Sequence, residues 1–282
     1  MTGAVDYVLV GHLSADVTAD GRRILGGTVS YAARVAHAFG LRVALVTSAA
    51  PDEPLLAELR PYVAELRVLP ATTTTSFENL YGPAGRTQYL RARAALITPE
   101  DIASAWLDAP LVHIAPLADE MPGAIVQVFS QATIMITPQG WLRQWDASGL
   151  VRFRRWFEPD VLSAADVVVL SEEDIAADSG LEREYAATAR CLVVTRGERP
   201  GSYYCNGQAR TFEVEPVDVA DVTGAGEVFA TSLLAAQRVL YGDMQAAVRV
   251  AARLATRSVT RPGLAGIPAA HEIRQILAEV QS

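Results

Sequence analysis

Short apolar runs, each ended by a glycine or a polar turn, recur along this chain, and the segments between most of them carry apolar residues at helical spacing. Tyr7-Val8-Leu9-Val10, ended by Gly11, has the length and composition of a strand buried on both faces. The same pattern returns at Val43 to Val46, Leu111 to Ile114, Thr133 to Ile136, Val167 to Leu170 and Leu192 to Val194. After Gly26-Gly27, residues Ala32, Ala33, Val35, Ala36 and Phe39 follow a helical period that stops at Gly40. Three further helices are predicted near 225–240, 243–260 and 269–280. Alternation of this kind predicts a parallel sheet with helices on both faces.

Two segments break the pattern. Residues 72–93 alternate β-prone and polar positions around Gly82-Pro83-Ala84-Gly85, which predicts a hairpin. With the polar excursion at 12–25, this hairpin can form a small β lid on a single domain spanning 1–282. A second hairpin is expected at Asn206-Gly207, between Tyr203-Tyr204 and Thr211-Phe212.

Composition removes several classes of function. Half of the 282 residues are hydrophobic and a fifth are charged, as in ordinary globular proteins. The net charge is -8 and the basic residues are scattered, which argues against a nucleic-acid partner. All 24 basic residues are Arg, so mechanisms that need a P-loop, Schiff-base or protein-kinase lysine are excluded. Cys191 and Cys205 lack the close pairing of a zinc or redox site, and both are expected to be buried and reduced. Asp6 stands where a signal peptide would be basic, and no apolar run approaches the ~18 residues of a membrane span; a cytoplasmic protein without a membrane partner is expected.

The chemistry concentrates at Asp221-Val222-Thr223-Gly224-Ala225-Gly226-Glu227, immediately before a strongly helical stretch. Small residues there leave the first helical N–H groups open, and the helix dipole adds positive potential, so Gly224, Ala225 and Gly226 can cradle a phosphoryl group without Lys. Glu227 would stand beside that pocket, where a base for an attacking hydroxyl is needed. Equally, its carboxylate could simply favour the helix N-terminus.

This segment resembles the D-T-x-G-A-G-D signature of ribokinase-like carbohydrate kinases, the PfkB family, whose final Asp is the catalytic base. Here Val222 and Glu227 replace two of its residues. The resemblance runs over nearly the whole chain and implies a three-layer α/β/α fold with a small β lid, use of ATP and Mg²⁺, and a small polyol substrate. Gly26 and Gly27 are similar to the family's N-terminal glycine pair, and Asp16 to its substrate-binding Asp. Tyr31 stands where ribokinases carry a substrate-contacting Asn, which points away from ribose. Phe77 and Asn79 lie in a segment that resembles, weakly, the lid of the inositol-kinase-like branch; their reading as an ordinary hairpin stays open.

On the donor side, Arg143, after Thr137-Pro138-Gln139-Gly140, resembles a region where several family members place a phosphate-binding Arg, with a surface Arg on a loop as the alternative. Ser171 and Asp174 occupy the place of the N-x-x-E motif that organises Mg²⁺ through water, although a helix cap explains them equally well. Thr195-Arg196-Gly197 is similar to the family's nucleotide-binding turn, with a purely structural Arg196 as the alternative. Asp221 and Thr223, with 258–263, match the region that in many members holds a monovalent cation, so K⁺ is compatible with the spacing. A homodimer through exposed lid strands is also compatible with the resemblance.

The sequence therefore predicts an ATP-dependent kinase of a sugar or cyclitol, with Glu227 as base, the Gly224 to Gly226 amides and Arg143 on the phosphoryl group, and Asp16 on the acceptor. Two rivals remain: a non-catalytic polyol- or nucleotide-binding member of the fold, and a dinucleotide oxidoreductase. The second lacks a G-x-G-x-x-G after its first strand.

Overall fold

The structure, a computed structural model, describes residues 4–18, 20–82 and 85–281. Every residue of β1 (Tyr7–Val10) is buried, and its side chains alternate between two cores: Tyr7 and Leu9 face one, Val8 and Val10 the other. A strand covered on both faces can be apolar throughout, which is why it reads as an unbroken run. The excursion after it supplies β2 (Ser14–Val17) and β3 (Arg23–Gly26); β4 (Val43–Ala49) and β5 (Glu65–Pro70) return to the main sheet. The hairpin β6 (Ser76–Gly82) and β7 (Gly85–Ala92) follows, then β8 (Leu111–Ile114) and β9 (Thr133–Ile136). A ribbon of β10 (Arg143–Trp145) and β11 (Val151–Phe153), unannounced by the sequence pattern, precedes β12 (Val167–Ser171), β13 (Cys191–Arg196), β14 (Arg199–Cys205) and β15 (Gln208–Phe212).

The main sheet has the order β15-β14-β13-β12-β9-β8-β1-β4-β5, parallel from β13 to β5, with β14 and β15 added antiparallel. One face is covered by α1 (Thr28–Ala38), α5 (Ala225–Val239), α6 (Met244–Ser258) and α7 (Ala270–Gln281). The short α2 (Leu56–Leu59) joins them at the β4–β5 edge. The other face carries α3 (Pro159–Ala164), α4 (Leu181–Thr188) and several 3₁₀ turns, packed around stacked Trp141 and Trp156. The fold is thus a three-layer α/β/α with a mostly parallel central sheet. Among the described residues no helix is long and apolar enough to cross a membrane.

The second hairpin falls at Asn206-Gly207, where both residues have positive φ, 54° and 71°, as a type I′ turn requires. The first predicted turn is flanked by β6 and β7, while Pro83 and Ala84 lie outside the described residues. One expectation is corrected. Cys191 and Cys205 are joined as a disulfide, because the antiparallel β13–β14 register sets them opposite each other with Cα atoms 4.3 Å apart. Their 14-residue separation carried no hint of this.

A smaller sheet, ordered β3-β2-β6-β7, stands on the main one. Buried Glu120 braces the junction: its carboxylate accepts from the backbone N–H of His12 (3.0 Å), Leu117 (2.9 Å) and Ala118 (2.7 Å). The buried His12 ring spans Thr75 Oγ1 and Ala95 O at 2.8 Å each, tying β1's exit to both ends of the β6–β7 hairpin. Phe77 and Leu90 then pack on Leu117 and Ala118.

Candidate active site

The start of α5 is shaped by contact with α1. Gly224 has φ +84°, and a Cβ there would lie 2.0 Å from Cε1 of Tyr31, so only glycine lets the loop turn into the helix against that ring. No side chain caps α5. Ala225 donates its N–H to Val222 O at 3.2 Å, whereas the N–H groups of Gly224 and Gly226 have no partner among the described residues. The open N–H groups are therefore fewer than three small residues in a row suggest.

Glu227, in the first turn of α5, has a single long side-chain contact, from Thr28 Oγ1 at 3.5 Å. Burial pushes its pKa above the ordinary carboxylate value, and the nearby Asp174 charge adds to this, while the Arg143 guanidinium opposes it. Asp16, on β2, accepts from Ser14 Oγ at 2.7 Å. Its pKa is also raised by burial, against the pull of Ser14, Arg86 and Arg143. Gly26 makes room for this carboxylate: a Cβ there would lie 2.5 Å from Asp16 Oδ2. Gly27, with φ +83°, turns the chain into α1 beside His12 O and Ser14 N.

Buried Tyr31 stands among these groups. Burial raises its phenol pKa most, and the charges of Glu227, Asp221 and Asp16 each raise it further. Arg143, on β10, lies 6.0 Å over the Phe77 ring and feels Asp174, Glu227 and Asp16. Desolvation pulls its pKa down, and among the described residues it makes no hydrogen bond or ion pair. The two other lid candidates behave differently. Phe77 is buried in the small sheet's own core, and Asn79 Oδ1 accepts from Gln88 Nε2 across the hairpin at 2.9 Å.

On the donor side, Asp174 Oδ2 accepts from the N–H (2.9 Å) and Oγ (2.8 Å) of Ser171, forming a capping box, and Oδ1 accepts from Gln139 Nε2 at 3.1 Å. Thr195 is paired in register with Ser171, and Gly197 has φ +61°. Arg196 is committed elsewhere, to Glu182 at 2.6 Å, Glu172 at 3.3 Å and Ser202 Oγ at 3.0 Å, in line with the structural alternative. Asp221 accepts from Thr223 N (2.9 Å) and Gly263 N (2.8 Å), locking the loop before α5 to the turn after α6. Among the described residues no cluster of three metal-ligating side chains occurs.

Three residues of this cleft escaped the sequence reading: Thr28, Gln139 and Arg86. Thr28 directly follows Gly26-Gly27 and could have been found from that motif. Gln139, on the 3₁₀ turn after β9, and Arg86, on β7, take their positions from the packing of that turn and the register of the hairpin.

Residues 142–270 match the family described as pfkB family carbohydrate kinase. A cytidine kinase of Thermococcus kodakarensis is 26% identical over 260 residues, covering 82% of this chain and 88% of that protein. A pyrophosphate-dependent kinase in the ribokinase family, solved with a pyrophosphate analog and myo-inositol, superposes with a TM-score of 0.80 at 21% identity over 95% of this chain and 99% of its own. The Arabidopsis thaliana ribokinase solved with ribose and ATP gives 0.78 at 16% identity over 98% and 99%. The chain thus carries a match to the pfkB family of carbohydrate kinases over residues 142–270 and shares its fold along nearly its whole length with ribokinase-family structures.

Proposed function

We propose that this protein transfers a phosphoryl group from ATP to a hydroxyl of a small sugar or cyclitol. The observation that carries the reading is that the turn Gly26-Gly27-Thr28 meets both carboxylates, Asp16 at Gly26 and Glu227 at Thr28, beside the uncapped start of α5. Asp16 accepts hydrogen bonds from acceptor hydroxyls, and Gly26 and Gly27 let the substrate approach the backbone. Tyr31 walls the acceptor space, with Phe77 as its floor and the Asn79–Gln88 pair beside it. Glu227 takes the proton of the attacking hydroxyl; a raised pKa makes it a stronger base than a solvated carboxylate. The N–H groups of Gly224 and Gly226, with Arg143, offset the negative charge that gathers on the transferring phosphoryl.

A dedicated all-protein cage is unnecessary for Mg²⁺, which keeps several waters and binds largely through substrate phosphates. Asp174, held by Ser171 and Gln139 and close enough to influence Glu227 and Arg143, fits a water-mediated partner of that ion. The ion would neutralise donor phosphate charge. Thr195 and Gly197 border the donor space, with Thr223 at its α5 end. For Asp221 the two backbone contacts are a sufficient task, and K⁺ there remains a question for the assay. In this reading segments 12–25 and 72–93 form the lid of one domain.

A nucleoside is the second acceptor class, favoured by the cytidine kinase relative and by Ile24, 49% exposed on the strand position that pairs with Asp16. The test is turnover with ATP or pyrophosphate as donor, with and without K⁺, across sugars, cyclitols and nucleosides. Acceptor-dependent ADP release with a sugar or cyclitol supports the proposal. Turnover only with pyrophosphate corrects the donor, and turnover only with nucleosides the acceptor. No turnover in the parent or in Glu227→Asp would return the chain to a binding role.

A further inference from the structure

The small sheet presents one face to the cleft, and its register says which residues share that face. In the β6–β7 ladder Phe77 pairs with Leu90 and Asn79 with Gln88, so two-residue alternation sets Arg86, Gln88 and Leu90 on the side of Phe77 and Asn79. Phe77 and Leu90 are buried against Leu117 and Ala118, which identifies this side as the inner one. The opposite side carries the Glu78–Arg91 ion pair and the exposed Leu80. Val17 pairs with Glu78 on the outer side, so Asp16, one position earlier, faces inward with Arg86.

Charge agrees with this placement. Arg86 acts on Asp16 and on Arg143, whereas the charges acting on Glu227 are Asp174 and Arg143. Arg86 thus belongs to the acceptor end of the cleft and Arg143 to the middle. Among the described residues neither guanidinium has a hydrogen bond or ion pair, although Arg154 and Arg155 nearby are both held by carboxylates. Arg143 is half-buried and Arg86 exposed at the mouth on the lid side; like charges on one face repel each other, and an anion between or beside them relieves that repulsion. The phosphoryl group accounts for Arg143. A neutral polyol, already served by Asp16, leaves Arg86 without a task.

We propose that Arg86 is a specificity-determining residue that binds an anionic group of the acceptor, so that this enzyme's substrate is a polyol bearing a carboxylate or a phosphate. The inference rests on the kinase reading above and narrows its acceptor. Arg86 pairs with the anionic group at the lid side while Asp16 holds hydroxyls and the reacting hydroxyl points to Glu227. Guanidinium forks match both carboxylate and phosphate geometry, so the two sources must be separated by experiment.

Matched probes make the test: D-glucitol against D-gluconate, and D-ribose against D-ribose 5-phosphate. Calorimetry on the full chain gives dissociation constants independently of turnover. The expected result is that the anionic member binds more tightly in at least one pair. Arg86→Gln should weaken it roughly 10- to 150-fold, the loss of a charge-assisted hydrogen bond, and Arg86→Lys should restore part of that loss. The pair that responds tells carboxylate from phosphate. Neutral members bound as tightly as anionic ones, or equal losses for both in Arg86→Gln, overturn the proposal while leaving the kinase reading intact. Failure of the kinase reading has a different signature: no ADP or phosphate release with any acceptor, whatever the order of binding.

Discussion

Two glutamates, buried Glu120 beneath the small sheet and half-buried Glu227 at the start of α5, have opposite surroundings. Glu120 is held by three backbone N–H groups within hydrogen-bond distance, whereas Glu227 has its own backbone N–H, a long contact from Thr28 at 3.5 Å, and the opposed charges of Asp174 and Arg143 in its field. Two arginines repeat the contrast. Arg154 grips Asp119 with both terminal nitrogens, at 2.9 and 2.7 Å, and donates to Trp141 O at 2.9 Å, while Arg143, on the partner strand of the same ribbon, is unpaired. A buried charge whose bonds are complete contributes to the fold; one whose bonds are left open costs stability and is available for chemistry.

The largest effect that can break this comparison is on turnover. Glu227→Gln should lower kcat by roughly 100- to 10,000-fold, the range of general-base catalysis, with ATP still bound. Full activity in that variant would remove Glu227 from the mechanism. Glu227→Asp, which shortens the reach by one methylene, should be equal to the parent or faster. Arg143→Ala should cost on the order of 100-fold in kcat with little change in acceptor KM, since its charge matters most in the transition state. Arg154→Ala should instead lower Tm and leave kcat near the parent value.

Asp16→Asn should raise acceptor KM roughly 10- to 150-fold and leave ATP KM unchanged. The reverse pattern would move Asp16 to the donor side. Glu120→Gln, by contrast, should appear only in unfolding. Replacing an ionised acceptor of three N–H groups with an amide is expected to cost about 1–3 kcal/mol, or roughly 2–12 °C in Tm.

The smallest effect is a sign. Because the folded pKa of Glu227 is raised above that of the unfolded chain, the fold loses stability as pH rises from the unfolded carboxyl's value, and the loss is complete above the raised one. Glu227→Gln should therefore be more stable than the parent at about pH 8, with the advantage fading as pH falls toward about 4, where the unfolded carboxyl also protonates. The acidic limb of kcat in the parent should likewise lie above the usual carboxylate range. A stability gap that does not change with pH would overturn the raised pKa of Glu227.

The contrast also explains what could be read without the structure. Tyr7–Val10, Leu111–Ile114 and Thr133–Ile136 were legible to the residue, because strands buried on both faces leave unbroken apolar runs bounded by turns. The Gly224 to Glu227 segment was legible because a helix start with glycines and one carboxylate is a local arrangement. Glu120 gave no signal, since an acidic residue in a loop is ordinary until three backbone donors from separate segments close on it. The ribbon bearing Arg143 was invisible for a similar reason: three-residue strands have no period to detect.

By itself, then, the sequence determined the alternation of strands and helices, the glycine-rich helix start at Gly224 and the absence of lysine chemistry, because each is encoded in neighbouring residues or in composition. Only the tertiary structure decided that Cys191 meets Cys205, that Arg196 is consumed by glutamates while Arg143 is not, and that Arg86 shares a face with Asp16. Those facts depend on strand register and on which charges remain unpaired after packing, and both are properties of residues far apart in the chain.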